Sequence, residues 1–310
     1  MTGEKSVDVP QNKQILELSW QNMRPELFIG DSGLTLKTGE NIDVVLSEHR
    51  YCVGYIRFKA RERTPCQDKA TIPSGKEGQC DFCKQQDASF TAKTGYGLSK
   101  QAGDLLSADH AVYLAYFADD VIKVGVALWE RREVRVLEQG AIACLFIGRG
   151  NGTMARNLER KIHTQVGLTE WVRLETKLKN LQKLPTQIHI QLALEGIFDR
   201  IRSITPSQIM FDTPDFQYLL PSYSLGPEVA ESDILLVQSV PESTRISGTI
   251  VGVMGSTLLI TAADAHVYVV GGRYLSGFHC VDLSSTFKHQ LAGLELKKIP
   301  ANRQRSLFDI

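Results

Sequence analysis

The sequence predicts an α+β protein, with helices gathered in the middle of the chain and antiparallel strands on both sides. Three observations carry this. Residues 15–56, and again those after Pro221, fall into short apolar runs separated by turn residues such as Gly30-Asp31 and Gly39-Glu40-Asn41. Between about 129 and 199, apolar residues recur at helical spacing. The polar segment 60–92 has too few large apolar residues for a core of its own, yet it lies in the stretch that holds most of the cysteines.

The chain has 310 residues and is 43% hydrophobic, enough for two domains or for one core with appendages. Its formal net charge is zero, so any nucleic-acid surface has to be a local patch. No apolar stretch approaches the roughly 18–20 residues of a membrane-spanning helix. The polar start "MTGEKSVDVPQNKQ" lacks the apolar centre of a signal peptide. A cytoplasmic protein with reduced cysteines is expected.

In chain order, residues 1–13 read as disordered. Strands are expected at "QILELSW", "LTLKTG", "NIDVVLSE" and "YCVGYI". Two further strands, about 111–117 and 121–127, form a hairpin. A helix follows at about 129–138, where Trp129, Arg132 and Val136 share a face. "AIACLFIG" is a buried strand. "TMARNLERKIHTQV" is a helix with Met154, Leu158 and Ile162 on one face and Asn151 or Thr153 as cap. "LTEWVRLETKLKNLQ" reads as a third helix opened by Thr169, and another helix covers 186–199. The strands "DILLVQSV", "ISGTIVGVMG", "TLLITA" and "HVYVVGG" suggest a small antiparallel barrel that packs with the N-terminal strands. The expected division is 1–104, 105–200, 201–302 and a flexible tail, 303–310.

Cys52, Cys66, Cys80 and Cys83 form a group, whereas Cys144 and Cys280 sit alone in apolar runs as small buried hydrophobes. Cys80-Asp-Phe-Cys83 is a C-x-x-C pair, a spacing that lets a turn aim two sulfurs at one point. Cys52 and Cys66, with 13 residues in each intervening gap, supply the other corners of a tetrahedron, with His49 in reserve. Metal binding would give this polar segment the order that burial cannot. A redox pair is expected at a helix start after a buried strand, and "SGKEGQCDFCKQQ" does not read that way. The expected cofactor is structural Zn²⁺ with no open position.

"AVYLAYF" and "IKVGVA" are the hairpin strands. They are followed by Arg131 and Arg132 on the first helix and by Glu159 in "ARNLERKI" on the second. In these motifs and in the order strand, strand, helix, strand, helix, helix, the segment 111–182 resembles the GIY-YIG nuclease domain. That family carries a Tyr in its first signature strand, Tyr-x-Gly in the second, an Arg on the first helix and a metal-binding Glu on the second. Here Ala111 replaces the first-signature Gly and Lys123 the second-signature Tyr. The resemblance implies catalytic roles for Tyr113, Lys123, Arg131 or Arg132, and Glu159, with Mg²⁺ or Mn²⁺ on Glu159. The arrangement also resembles an uncharacterised family in which a four-cysteine segment precedes a divergent unit of this kind.

The residue types suit phosphodiester chemistry on their own terms. A carboxylate holds Mg²⁺, which keeps several waters. A guanidinium matches phosphate geometry. A Tyr relays a proton if nearby cations lower its pKa, and Lys123 could do this or clamp a phosphate. Arg135, Arg156 and Arg160 extend a basic region fit for a nucleic-acid backbone. The same residues have plainer readings: Tyr113 as sheet filling, the arginines as a solvated helix face, and Glu159 with His163 as a surface pair.

The chain ends "QRSLFDI", in which Gln304, Leu307 and Phe308 resemble the peptide that docks replication and repair proteins on the sliding clamp. The leading expectation is therefore a nucleic-acid-associated zinc protein acting as a metal-dependent nuclease, with DNA ahead of RNA as partner. The alternatives are a non-catalytic DNA/RNA-binding module and a zinc-stabilised interaction scaffold.

Overall fold

Short apolar runs bounded by tight turns fold here into sheets packed around two main cores, with a small third cluster at the cysteines. The computed structural model describes residues 6–57, 62–73, 78–87, 90, 100–118, 121–181, 185–205 and 207–300. β1 (Ile15–Gln21), β2 (Arg24–Ile29) and β3 (Ser32–Thr35) form an antiparallel meander. β4 (Asn41–Arg50) leaves it for the large sheet described below, and among the described residues β5 (Tyr55–Ile56) pairs only with β6 (Arg63–Thr64). The strand expected over "YCVGYI" is thus reduced to a bridge at Tyr51 and two residues of β5. Residues 6–13 are not loose as expected: Val7 and Val9 are buried, and the Val7 amide donates to Asn41 O at 2.8 Å.

Two short helices follow, α1 (Asp81–Gln86) and α2 (Lys100–Ser107). The central unit then adopts the expected order: β7 (Asp109–Ala118), β8 (Val121–Leu128), a 3₁₀ turn (Trp129–Arg131) running into α3 (Arg132–Glu138), β9 (Ala143–Asn151), α4 (Gly152–Val166), α5 (Leu174–Asn180) and α6 (Gln187–Ile204). Asn151 caps α4 by accepting from the Met154 amide at 2.9 Å, which satisfies a donor the helix start would orphan. The third helix starts later than expected, because Thr169 does not cap it. The Thr169 hydroxyl instead closes a turn on Trp171, donating to its carbonyl at 2.8 Å and accepting from its amide at 3.2 Å.

β7 lies between β8 and β9 in the sheet order β10-β9-β7-β8, and it is buried on both faces because the sheet is covered on both sides. One face, with Val112, Leu114, Val124 and Leu145, packs under Leu158 and Ile162 of α4 and Leu194 and Phe198 of α6. The other face, with Tyr113, Ala115, Phe117 and Phe146, joins a core that continues into both ends of the chain. The edge strand β10 (Met210–Tyr218) has no strand-like reading in the sequence. It contains Pro214 and intersperses Asp212, Thr213, Asp215 and Gln217 with apolar residues, and an edge tolerates both.

The remaining strands are β11 (Ile234–Val237), β12 (Thr244–Met254), β13 (Thr257–Thr261), β14 (Val267–Gly271), β15 (Phe278–Val281), β16 (His289–Gln290) and β17 (Leu296–Ile299). They take in β4, in the order β15-β4-β12-β13-β14-β11-β17, with β16 beside β12. The expected packing of the N- and C-terminal strands together is realised as a shared sheet. The expected antiparallel barrel is not. The sheet runs as an open path and is mixed, since β11 pairs with β14, and β16 with β12, in parallel. Arg245 grips Asp43 across β12 and β4 with two bonds of 2.9 and 2.6 Å. Trp20 donates from its indole to Gly255 O at 2.7 Å and meets the Tyr223 ring edge-on.

Candidate functional sites: a four-thiol cluster and a cationic cleft

Cys52 follows β4, Cys66 follows β6, Cys80 caps α1 and Cys83 lies within its first turn. The four sulfurs all lie within 4.8 Å of one another. A tetrahedral zinc with bonds of about 2.3 Å needs sulfur–sulfur edges of roughly 3.8 Å, and Cys66 Sγ stands 3.9 Å from Cys80 Sγ. Backbone amides already point at the sulfurs: Cys80 N donates to Cys52 Sγ at 3.2 Å, Gly54 N to the same atom at 3.4 Å, and Cys83 N to Cys80 Sγ at 3.5 Å. Gly54 is required for this turn. Its φ is +74°, and a Cβ there would sit 1.9 Å from Thr64 O.

The thiols disturb one another. Burial pushes Cys83 far above an ordinary thiol, with the other three cysteines adding to the shift. Burial also raises Cys52. At Cys66 burial is outweighed by backbone amides and by the Cys52 and Cys83 sulfurs, so that thiol titrates low. A soft cation relieves such crowding by replacing the protons. The cluster could hold a metal ion such as zinc, and four sulfur ligands would leave it no open position. Against expectation, the C-x-x-C does open a helix; it follows no buried strand, and two further sulfurs converge on it. His49 is exposed beside Tyr51 and lies outside the cluster.

The second site is a cleft of about 580 Å³ at the outer edge of the hairpin. Tyr113, Lys123, Arg131, Arg135, Arg156 and Glu159 all line it. Strand alternation and register explain the first two. Gly125 lies opposite Tyr113, and Lys123 stands two residues from Gly125 on the same face. Gly125 makes room for the phenol, since a Cβ there would fall 2.5 Å from both Tyr113 Cζ and its hydroxyl. Glu159 and Arg156 flank the buried stripe of α4, Ala155-Leu158-Ile162.

Gln139, at the end of α3, ties the phenol to the lysine. Lys123 Nζ donates to Gln139 Oε1 at 2.8 Å, and Gln139 Nε2 donates to the Tyr113 hydroxyl at 2.5 Å. An ammonium can only donate, so the amide oxygen must face Lys123 and the amide nitrogen must face Tyr113. The phenol therefore accepts here and keeps its own proton to give. Burial raises Tyr113 to about 12, and the nearby Arg135 and the Gln139 bond do not offset it. The expectation that cations lower this pKa is overturned: at neutral pH Tyr113 is a hydrogen-bond donor, not a base.

Glu138 organises the arginines. Its carboxylate accepts from Arg131 at 2.8 Å, from Arg135 at 3.5 Å and from the Ser19 hydroxyl at 2.7 Å. Arg132 is not in the cleft lining; it lies 4.1 Å over the Trp129 ring and pairs with Glu133 at 3.1 Å. Arg160 is exposed on α4, also away from the lining. Gln304, Leu307 and Phe308 lie outside the described residues.

The cleft gathers residues that the sequence did not single out: Gln139, Glu138, Glu170 and His110. His110 Nδ1 lies 2.9 Å from Ala108 O, so that nitrogen carries the proton and Nε2 keeps its lone pair. Burial, assisted by Arg156, holds the ring neutral by lowering its pKa. Behind the cleft, Lys177 Nζ donates to Gln139 O at 2.5 Å.

These features define a mixed α+β protein with largely antiparallel sheets and a four-cysteine cluster that could hold a metal. Residues 39–280 match the family described as "Protein of unknown function (DUF2797)", and the chain belongs to that family. No curated protein and no solved structure matches it. No helix among the described residues is long and apolar enough to cross a membrane.

Proposed function

We propose that the chain is a zinc-bearing, nucleic-acid-directed phosphodiesterase whose central unit is a divergent GIY-YIG-like domain. The observation that carries this reading is the cleft itself, where a phenol, a lysine, three arginines and the carboxylates of Glu138, Glu159 and Glu170 converge. The element order of 109–204 and the pairing of Tyr113 with Gly125 support it further. In this reading Lys123, Arg131, Arg135 and Arg156 bind the phosphate backbone. Tyr113, buried in the wall of the cleft, would act by fixing the Gln139 amide that in turn holds Lys123 for the phosphate. His110 is a neutral group able to take a proton from water. The Glu159 carboxylate would hold Mg²⁺ or Mn²⁺, which would supply Lewis acidity at the phosphoryl group. The four-cysteine cluster holds Zn²⁺ as a structural centre.

The test is incubation of the metal-replete protein with labelled single-stranded and duplex DNA and RNA, with Mg²⁺ or Mn²⁺ added. Cleavage that Glu159→Gln abolishes while binding persists supports the reading. Salt-sensitive binding without products favours the non-catalytic binding module, and no binding at low salt leaves the interaction scaffold. The C-terminal peptide is proposed as a sliding-clamp contact, which deletion of 304–310 should abolish in a clamp-retention assay.

A further inference from the structure

A second cavity, of about 410 Å³, shares the Glu138–Gln139 wall with the phosphate cleft. It is lined by Trp171, in the turn before α5, and by Tyr274, in the short helix Gly272–Leu275, with Arg173, Lys177 and Arg273 among them. Trp171 is 68% exposed, unusual for the most apolar of aromatic platforms in a molecule whose Trp20 is buried. The Thr169 turn holds its backbone, and Thr169 bridges to Lys123 of the cleft. Arg173 lies 5.7 Å from the Trp171 ring centre, and Arg273 lies 4.6 Å from that of Tyr274 while bonding its hydroxyl at 2.6 Å. Both carboxylates of the cavity are engaged elsewhere, Glu138 by Arg131 and Glu175 by Lys179 and Lys297. The surplus charge is positive.

Flat rings beside cations, next door to a cleft lined by Lys123 and three arginines, are the arrangement that takes unpaired bases. We infer that the Trp171–Tyr274 cavity stacks an unpaired nucleobase next to the phosphate held at Lys123 and Arg135, so that the substrate is a single-stranded or locally unpaired strand. The connecting segment runs from Glu170, in the cleft, directly to Trp171, in the cavity, so the two sites adjoin. A base within a duplex would first have to be unstacked to reach the indole. The inference rests on the nucleic-acid reading above and adds the substrate class to it.

The experiment compares wild type, Trp171→Ala and Trp171→Phe for binding of a thymidine oligomer and of a blunt duplex, by fluorescence anisotropy at fixed salt. An exposed ring can be removed without unfolding the core. Trp171→Ala should weaken single-strand binding at least about fivefold, the low end for losing one base–aromatic stack, while duplex binding holds and Trp171→Phe restores most of the loss. Unchanged single-strand affinity in Trp171→Ala, or an equal loss on both substrates, overturns the base pocket and leaves the phosphate cleft standing. Failure of wild type to bind either nucleic acid overturns the phosphodiesterase reading itself, and the base pocket with it.

Discussion

Gly125→Ala places a methyl group where the Tyr113 ring now lies. Carbon atoms in contact settle about 3.5–4.0 Å apart, yet the new Cβ would meet Tyr113 Cζ and Oη at 2.5 Å and Cε2 at 2.9 Å. The ring must retreat by about an ångström. It is 1% exposed and packed edge-on against Phe146, so it has little room to do so. Overpacking of this kind costs about 1–3 kcal/mol. Breaking the Gln139 bond adds about 1 kcal/mol, for a total of about 2–4 kcal/mol. The assay is a urea-unfolding cycle with Tyr113→Leu, whose side chain ends short of the clashing atoms. In that background Gly125→Ala should cost under about 1 kcal/mol, giving a coupling energy of about 1–3 kcal/mol. Additivity within roughly 0.5 kcal/mol would refute the claim that Gly125 exists to admit the phenol.

The purified protein should carry about one zinc per chain by elemental analysis, and Cys83→Ser should lose the metal and lower the unfolding temperature; a metal-free wild type of equal stability contradicts the structural-centre reading. Binding to a single strand through Lys123, Arg131, Arg135 and Arg156 should fall with a log–log salt slope of about −3, at roughly 0.7 per phosphate contact, and Arg135→Ala should make the slope shallower by about 0.7; an unchanged slope removes Arg135 from the interface. Burial, with Lys123 and Arg135 nearby, brings Lys177 down to about 8, whereas an unfolded lysine titrates near 10.4. Between those values the unfolded chain holds a proton that the folded chain lacks, so unfolding free energy rises with pH there. Relative to Lys177→Met, wild type should gain about 2–3 kcal/mol between pH of about 7.5 and 10.5, and a flat or falling difference in denaturation midpoints would contradict the shift.

The hairpin and the helices behind it were legible because β7 and β8 are long apolar runs and α4 repeats its buried residues at helical spacing with an asparagine cap. Thr169 misled because its hydroxyl serves equally as a helix cap and as the closure of a local turn, and the turn won. β10 was invisible because an edge strand needs neither alternation nor freedom from proline. The open mixed sheet was missed because the pairing of β4 with β12 and β15 joins residues some two hundred positions apart, which local pattern does not encode.

In the cysteine site the spacing announced the four residues, but their convergence depends on a backbone turn at Gly54 that carries no signature of its own. In the cleft, the family resemblance singled out Tyr113, Lys123 and Glu159, and all three line it. Gln139 went unnoticed because its importance comes wholly from lying between two groups distant in sequence. The same limit applies to Arg132: an arginine is readable in sequence, but its stacking on Trp129 is not.

Metal-dependent cleavage of a labelled single strand by wild type and by Glu159→Gln, with binding measured in parallel, bears most directly on the proposed chemistry. Products from wild type, their loss in the variant and similar affinity in both are predicted. Equal cleavage by the two proteins, or intact binding with no products at any Mg²⁺ or Mn²⁺ concentration, would contradict it.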